Sequence, residues 1–324
     1  MPKKSTLIIL LSLLSVSSFA QSSYSAVNIY NEENVEVRTS YNAGSNSTLF
    51  SAYNKAEYPV FLHIYFNEVS RLSFHEKQPF IKKLPHGLTD LFVLDNSRER
   101  NLPRFPFKMK TYPSNPLAEI NREYPYLLPL REGEVAIRRK VDNSSKELSV
   151  FPNPKEGVFY GFQVEPGQEV CACRKGVVVD IHSVVTAKPG TDFQDDFSYI
   201  TLLHEDGTLA TYFNVETKGK TLQPNQTIFP GEVFCNIDSH SNKLIVTFYY
   251  NRLFSDDFIF LGPRFQLSAT ETNILSLDKE YQVVHPKEIR ALEMTKKEKK
   301  KSRKNVETVF CCYSFYTEEQ DYLH

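Results

Sequence analysis

Between Gly161 and Tyr250 the chain is cut into short apolar runs by turn signals too closely spaced to admit two helices. The turns are marked by Glu165-Pro166-Gly167, Arg174-Lys175-Gly176, Glu205-Asp206-Gly207 and Pro224-Asn225. Between them stand β-branched and apolar runs, Val177-Val178-Val179 and Tyr199-Ile200-Thr201-Leu202-Leu203. That punctuation predicts short β-strands joined by tight turns. Composition agrees: 18 Tyr, 24 Phe, no Trp and only 12 Gly in 324 residues suit a mainly β chain with packed aromatic faces.

The beginning of the chain reads as an export signal. Lys3 and Lys4 precede an apolar run from Leu7 to Leu14, and Ser18-Phe19-Ala20 puts small residues where a signal peptidase reads. Residues 1–20 are therefore expected to be a signal peptide. The run is far short of the ~20 apolar residues of a spanning helix, and no later segment is apolar enough to span. The mature protein is expected to be periplasmic or extracellular, with no integral membrane segment.

Four parts follow. Residues 24–107 form an aromatic-rich β region, expected to be sandwich-like. Its clearest strand is Pro59 to Asn67, with Val60, Leu62, Ile64 and Phe66 on one face and Phe61, His63 and Tyr65 on the other. His63 reads as a half-buried strand residue, because no second ligand stands at metal spacing. Residues 108–123 are the core of a proline-rich connector that runs from Leu102 to Pro129 and is expected to be extended on the surface. Residues 124–266 form the second β domain. Residues 267–324 are a tail in which Pro286 to Arg303 reads as one charged helix with intrahelical ion pairs.

A net charge of -1 gives no general attraction to nucleic acid or anionic lipid. Five cysteines are too few for a disulfide scaffold. Cys171 and Cys173 would share a strand face, and Cys235 could pair with one of them or all three could be buried thiols. Cys311 and Cys312 are adjacent and say little.

Several ordered blocks carry a family resemblance. Gly167-Gln168-Glu169-Val170-Cys171-Ala172 to Gly176-Val177-Val178, His204-Glu205-Asp206-Gly207 with Thr208 (or Thr211) and Tyr212, and Leu222 to Gly231 resemble the LytM/lysostaphin type of zinc peptidoglycan endopeptidase. In the last block Asn225 stands for a turn glycine, which asparagine can replace in a left-handed conformation. The likeness covers less than half of the chain. It implies an antiparallel β fold with a groove across one sheet and a zinc ion held by three side chains.

The positions that the family uses for chemistry are changed. The acidic ligand falls at Gln163, and no histidine occurs in Ser149 to Val158, where the upstream ligand is due. The terminal His-x-His aligns with Ile245 and Thr247, and the acid/base histidine after Tyr212 falls at Asn214. His204 and Tyr212 match family positions that are not metal ligands. A site relocated to His182, His204, Cys171, Cys173 and Cys235 lies outside the groove. No catalytic residue, metal or cofactor is expected, although zinc belongs to the family.

The sequence thus points to an exported, non-catalytic LytM-like protein. Its degenerate groove, at Gln163, Asn214, Ile245 and Thr247, would bind peptidoglycan or a cell-wall hydrolase. Two alternatives stand beside it. One is an active zinc endopeptidase with atypical ligands. The other is a purely structural secreted protein whose groove is closed by Phe213, Phe248 and Tyr249.

Overall fold

The computed structural model describes residues 27–66, 79–95, 107–183, 197–217 and 222–300. The expected signal peptide, the Cys311-Cys312 pair and the chain beyond residue 300 lie outside the described residues.

The first seven strands are β1 (Val27–Glu32), β2 (Val35–Asn42), β3 (Ser47–Asn54), β4 (Val60–Phe66), β5 (Phe80–Leu84), β6 (Gly87–Asp95) and β7 (Phe107–Tyr112). They form two antiparallel sheets, ordered β1-β2-β3-β6 and β5-β4-β7. The alternation in β4 works as its pattern dictates: Val60, Leu62, Ile64 and Phe66 join Val35, Val37, Phe50 and Leu94 in one core. His63 is more than half-buried, at 3% exposure. Strand β7 enters the segment expected to be connector. It fits there because Pro106 and Pro113 flank it and because it is an edge strand, where missing ladder donors cost little.

The rest of the chain supplies β8 (Pro125–Tyr126), β9 (Val135–Arg139), β10 (Phe159–Gln163), β11 (Glu169–Cys171), β12 (Gly176–His182), β13 (Tyr199–Leu203) and β14 (Leu209–Phe213). It continues with β15 (Val215–Glu216), β16 (Thr227–Ile228), β17 (Val233–Ile237), β18 (Lys243–Asn251), β19 (Phe258–Leu261), β20 (Arg264–Gln266), β21 (Thr272–Asn273) and β22 (Glu280–Gln282). Nine strands make the large sheet, in the order β16-β12-β13-β14-β18-β10-β9-β22, with β19 also paired to β18. Its pairings are all antiparallel.

Each face of this sheet has its own core. Tyr160, Phe162, Ile200, Leu202, Tyr212, Val246 and Phe248 point one way and pack with Val170, Cys173, Cys235 and Ile237 of the small β11-β17-β15 sheet. Tyr124, Tyr126, Leu128 and Leu130 join that core, so the proline-rich segment ends buried rather than on the surface. The opposite face carries Phe159, Leu209, Phe213, Ile245 and Tyr249.

The turn chemistry foreseen at Asn225 is present: its φ is 64°, as is appropriate to a residue standing where glycine is usual. Residues beyond 266 do not simply trail away. Strand β22 borders the large sheet, and Tyr281 and Val283 are in its core. The single charged helix is instead two short helical pieces, α1 (Lys287–Arg290) and residues 296–300. The second piece begins at a reciprocal cap. The Glu298 amide donates to Thr295 Oγ1 and the Thr295 amide donates to the Glu298 carboxylate. A run rich in charged residues is open to either arrangement, and the cap decides for a restart.

Candidate functional site

Strand β18 lies between β14 and β10, so Ile245 and Thr247 sit at the middle of the large sheet. Ile245 lies opposite Phe213 on one side and Gly161 on the other. Thr247 lies opposite Thr211 and Phe159. Period-two alternation puts all of these on one face. Gln163 is at the end of β10, opposite Lys243. Asn214 follows β14 with a left-handed backbone, φ 62°. The structure brings Ile245 and Thr247 together at the centre and leaves Gln163 and Asn214 at the rim.

The centre of that face is filled. Ile245, Thr247 and Phe213 are 0% exposed. Phe151, from the short 3-10 turn Lys146–Val150 and the residue after it, seats against five rings. Its ring centroid is 5.6 Å from Phe159, 6.1 Å from Phe213, 5.0 Å from Tyr249, 5.5 Å from Phe258 and 5.3 Å from Phe260. Leu148, Phe197, and Phe61 and Tyr112 from the first β region complete the cluster. The expected plug was partly misassigned. Phe213 and Tyr249 do close this face, but Phe248 points to the opposite core. Phe151 was missed. It comes from the stretch Ser149 to Val158, where the resemblance places an upstream histidine.

The polar groups on the face satisfy one another. Thr201 and Thr211 hydroxyls are 2.9 Å apart, and Thr211 is 2.9 Å from the Tyr249 hydroxyl. Thr247 Oγ1 donates to the Val158 carbonyl at 2.8 Å. Burial pushes the Tyr249 phenol up to about 12, so it stays neutral across the physiological range. At the rim, Arg139 donates twice to Gln163 Oε1 (3.0 and 2.7 Å) and once to Asp278 (2.8 Å). Asn214 Nδ2 donates to the Lys243 carbonyl at 3.1 Å.

Zinc requires about three imidazole, thiolate or carboxylate donors around one point. Here the corresponding atoms are an amide oxygen engaged by arginine, an aliphatic chain, a hydroxyl already donating to a carbonyl, and an amide tied to backbone. These residues do not fit the ion. Asp180 and His182 do reach the same face on β12, opposite Thr201 and Tyr199. They supply two donors, and His182 lies flat against Tyr199 with centroids 5.0 Å apart. Among the described residues no group of three or more His, Cys, Asp or Glu side chains is placed to hold a metal ion. The relocated set does not assemble either. Cys171, Cys173 and Cys235 are buried thiols, and burial pushes Cys171 and Cys173 up to about 12, away from the thiolate a metal needs.

His204 and Tyr212 are both buried and hydrogen-bonded within the protein. The Tyr212 hydroxyl accepts the Cys173 amide at 2.9 Å inside the other core. His204 donates from Nδ1 to the Lys175 carbonyl at 2.7 Å rather than capping its own turn. Asp206 caps that turn instead, accepting from the Thr208 amide and hydroxyl. Burial, and then the nearby Arg174 charge, hold His204 down to about 4.

A second polar centre adjoins His204, and sequence inspection gave no sign of it. The Arg174 side chain is 4% exposed. It bonds Asp206 at 2.8 Å, Glu293 at 2.5 and 3.0 Å, and the Tyr126 hydroxyl at 3.1 Å. Its guanidinium lies 4.0 Å from the Tyr124 ring centroid. Next to it Lys175 Nζ donates to the Glu293 carbonyl and to Glu298, each at 3.0 Å. The Arg174-Lys175-Gly176 turn therefore clamps the C-terminal helical segment.

No protein-family model matches the sequence, and no curated protein matches it. Among solved structures, the chain is similar to Helicobacter pylori Csd3 from an orthorhombic crystal, at 10% identity and a TM-score of 0.30. That comparison covers 90% of this chain and 82% of the other. A score so low carries no argument about fold or activity. Among the described residues no helix is long and apolar enough to cross a membrane.

Proposed function

We propose that this chain is an exported, non-catalytic protein of LytM-like architecture that binds peptidoglycan from surfaces outside the occupied sheet face. One observation carries the non-catalytic part: the positions that would hold metal and activate water are occupied by packed or internally bonded groups. Ile245 and Thr247 are fully buried, and the Thr247 hydroxyl is spent on Val158. A stem peptide could not reach these two, whereas Gln163 is exposed and Asn214 half-buried at the rim. The wall-binding part rests on the resemblance of the blocks from Gly167 to Gly231 and on the signal-like residues 1–20.

The same packing favours a second reading, a purely structural exported protein. Phe61 and Tyr112 share the core of the filled face, so the face also joins the first β region to the large sheet.

Metal analysis and sacculus co-sedimentation of the purified mature protein test both readings. Substoichiometric zinc, no cleavage of cross-linked peptides with zinc added, and co-sedimentation with sacculi are the expected results. One zinc per chain with peptide release overturns the non-catalytic reading. Metal-free protein that stays in the supernatant favours the structural one.

A further inference from the structure

The polar centre at Arg174 is built in two halves, and only one of them belongs to the folded body. On the body side, Arg174 Nη1 donates to Asp206 at 2.8 Å and to the Tyr126 hydroxyl at 3.1 Å. The guanidinium also lies 4.0 Å from the Tyr124 ring centroid. These contacts fix the group without help from the tail. They leave its other edge, Nε and Nη2, as a fork that faces the tail. That fork holds the Glu293 carboxylate: Nε donates to its two oxygens at 3.0 and 3.1 Å, and Nη2 donates at 2.5 Å. The Tyr124 hydroxyl donates to the same carboxylate at 3.1 Å. Beside it, Lys175 Nζ donates to Glu298 at 3.0 Å.

The other half, residues 286–300, is a strap with little of its own to hold it down. None of these residues is buried, and Leu292 is 50% exposed. No apolar side chain of the strap enters any of the three cores. Helix α1, four residues long, is far below the roughly 12–15 residues at which a helix stands alone. Among the described residues, the strap's hydrogen bonds to the body are those made to Glu293 and Glu298 and one from Arg290 Nε to the Pro230 carbonyl at 3.3 Å. A segment held by charge and not by apolar burial is the kind that opens while the body stays folded. Once it lifts, Arg174 and Lys175 are left with one bonded carboxylate, Asp206, and a free donor edge.

We infer that the Arg174-Lys175 turn is a binding site for an acidic peptide segment, and that the strap occupies this site in cis. Glu293 and Glu298 show what it takes: two carboxylates five positions apart on one chain, the first on the Arg174 fork and Tyr124, the second on Lys175. A planar fork already fixed by the body matches both oxygens of a carboxylate, which a lone ammonium does not do. The strap competes as an intramolecular ligand and so acts at a high effective concentration. A segment in trans therefore enters when the strap is loosened. The site is independent of the wall-binding reading and uses no residue of the filled face.

The test is a titration, read by fluorescence anisotropy, of a labelled peptide of residues 286–300 with the full mature chain, as wild type and as the double variant Glu293→Ala, Glu298→Ala. Both substitutions lie on the unburied strap and leave the Asp206 and Tyr126 contacts of Arg174 in place. The double variant binds the peptide saturably and roughly tenfold or more tightly than wild type, whose own strap competes. Glu293→Gln alone, which keeps the shape of the strap, falls between the two. Glutamine at both acidic positions of the peptide weakens binding by roughly tenfold or more. Tyr124→Phe in the double variant keeps the ring against Arg174 and loses one donor, a weakening of roughly two- to tenfold. No saturable binding by either strap variant overturns the site. Equal affinity of wild type and double variant, or equal affinity for the acidic and the amide peptide, overturns it as well.

Discussion

Phe151→Ala tests whether the face is a packed core or an open groove. The side chain is 3% exposed and meets five rings. A buried phenylalanine removes about 150–250 Å² from water, and at about 25 cal/mol per Å² its burial contributes roughly 4–6 kcal/mol. Alanine keeps part of that, while the cavity and the lost edge-to-face contacts add to the cost, so about 3–5 kcal/mol of stability should disappear. Phe151→Leu, which retains most of the volume, should cost about 1–2 kcal/mol. Urea unfolding followed by far-ultraviolet circular dichroism reads both, since the chain has no Trp to report by fluorescence. The alanine variant should also gain affinity for small apolar probes that fill the vacated space. If Phe151→Ala costs less than about 1 kcal/mol, the aromatic cluster is not a core. The claim that the face is closed to ligands then fails.

Two further outcomes follow from the polar centre. Arg174→Met leaves the Glu293 and Asp206 carboxylates short of their buried partner, a loss of roughly 3–5 kcal/mol. It should also speed tryptic cleavage among Lys296, Lys297, Lys299 and Lys300; unchanged protection of that segment refutes the clamp. His204 titrates in the unfolded chain near pH 6.5 but only at about 4 when folded, because burial opposes its charge. Its contribution is therefore complete above about pH 6.5 and is lost as pH falls toward 4, by at most about 1.4 kcal/mol per pH unit. Stability measured at about pH 7 and about pH 5 should differ less in His204→Asn, which keeps a donor for the Lys175 carbonyl; an equal difference in wild type and variant refutes this assignment.

The legible parts of the sequence were local. Alternation in β4 gave the correct inward set, and the left-handed turn at Asn225 followed from the kind of residue a tight turn tolerates. That Gln163, Ile245 and Thr247 carry no imidazole, thiolate or carboxylate is also plain in the sequence. Three features were not legible. Phe248 and Tyr249 are neighbours on one strand with similar chemistry, and only the register of β18 against β14 sends one to each core. Phe151 stands in a 3-10 turn with no periodic pattern to give it direction. Arg174 looks like a turn residue, because its partner Glu293 is 119 positions away.

Backbone preference and side-chain chemistry are properties of single residues, so the β character, these turns and the lack of an imidazole, thiolate or carboxylate at Gln163, Ile245 and Thr247 are written in the sequence. Only the tertiary structure packs the face around Ile245 and Thr247 shut, clamps the tail at Arg174, and brings Phe254 and Tyr65 together across 189 positions of chain. Those outcomes depend on which distant side chains share a face, and burial, ring contact and charge pairing exist only once strand register has put them there.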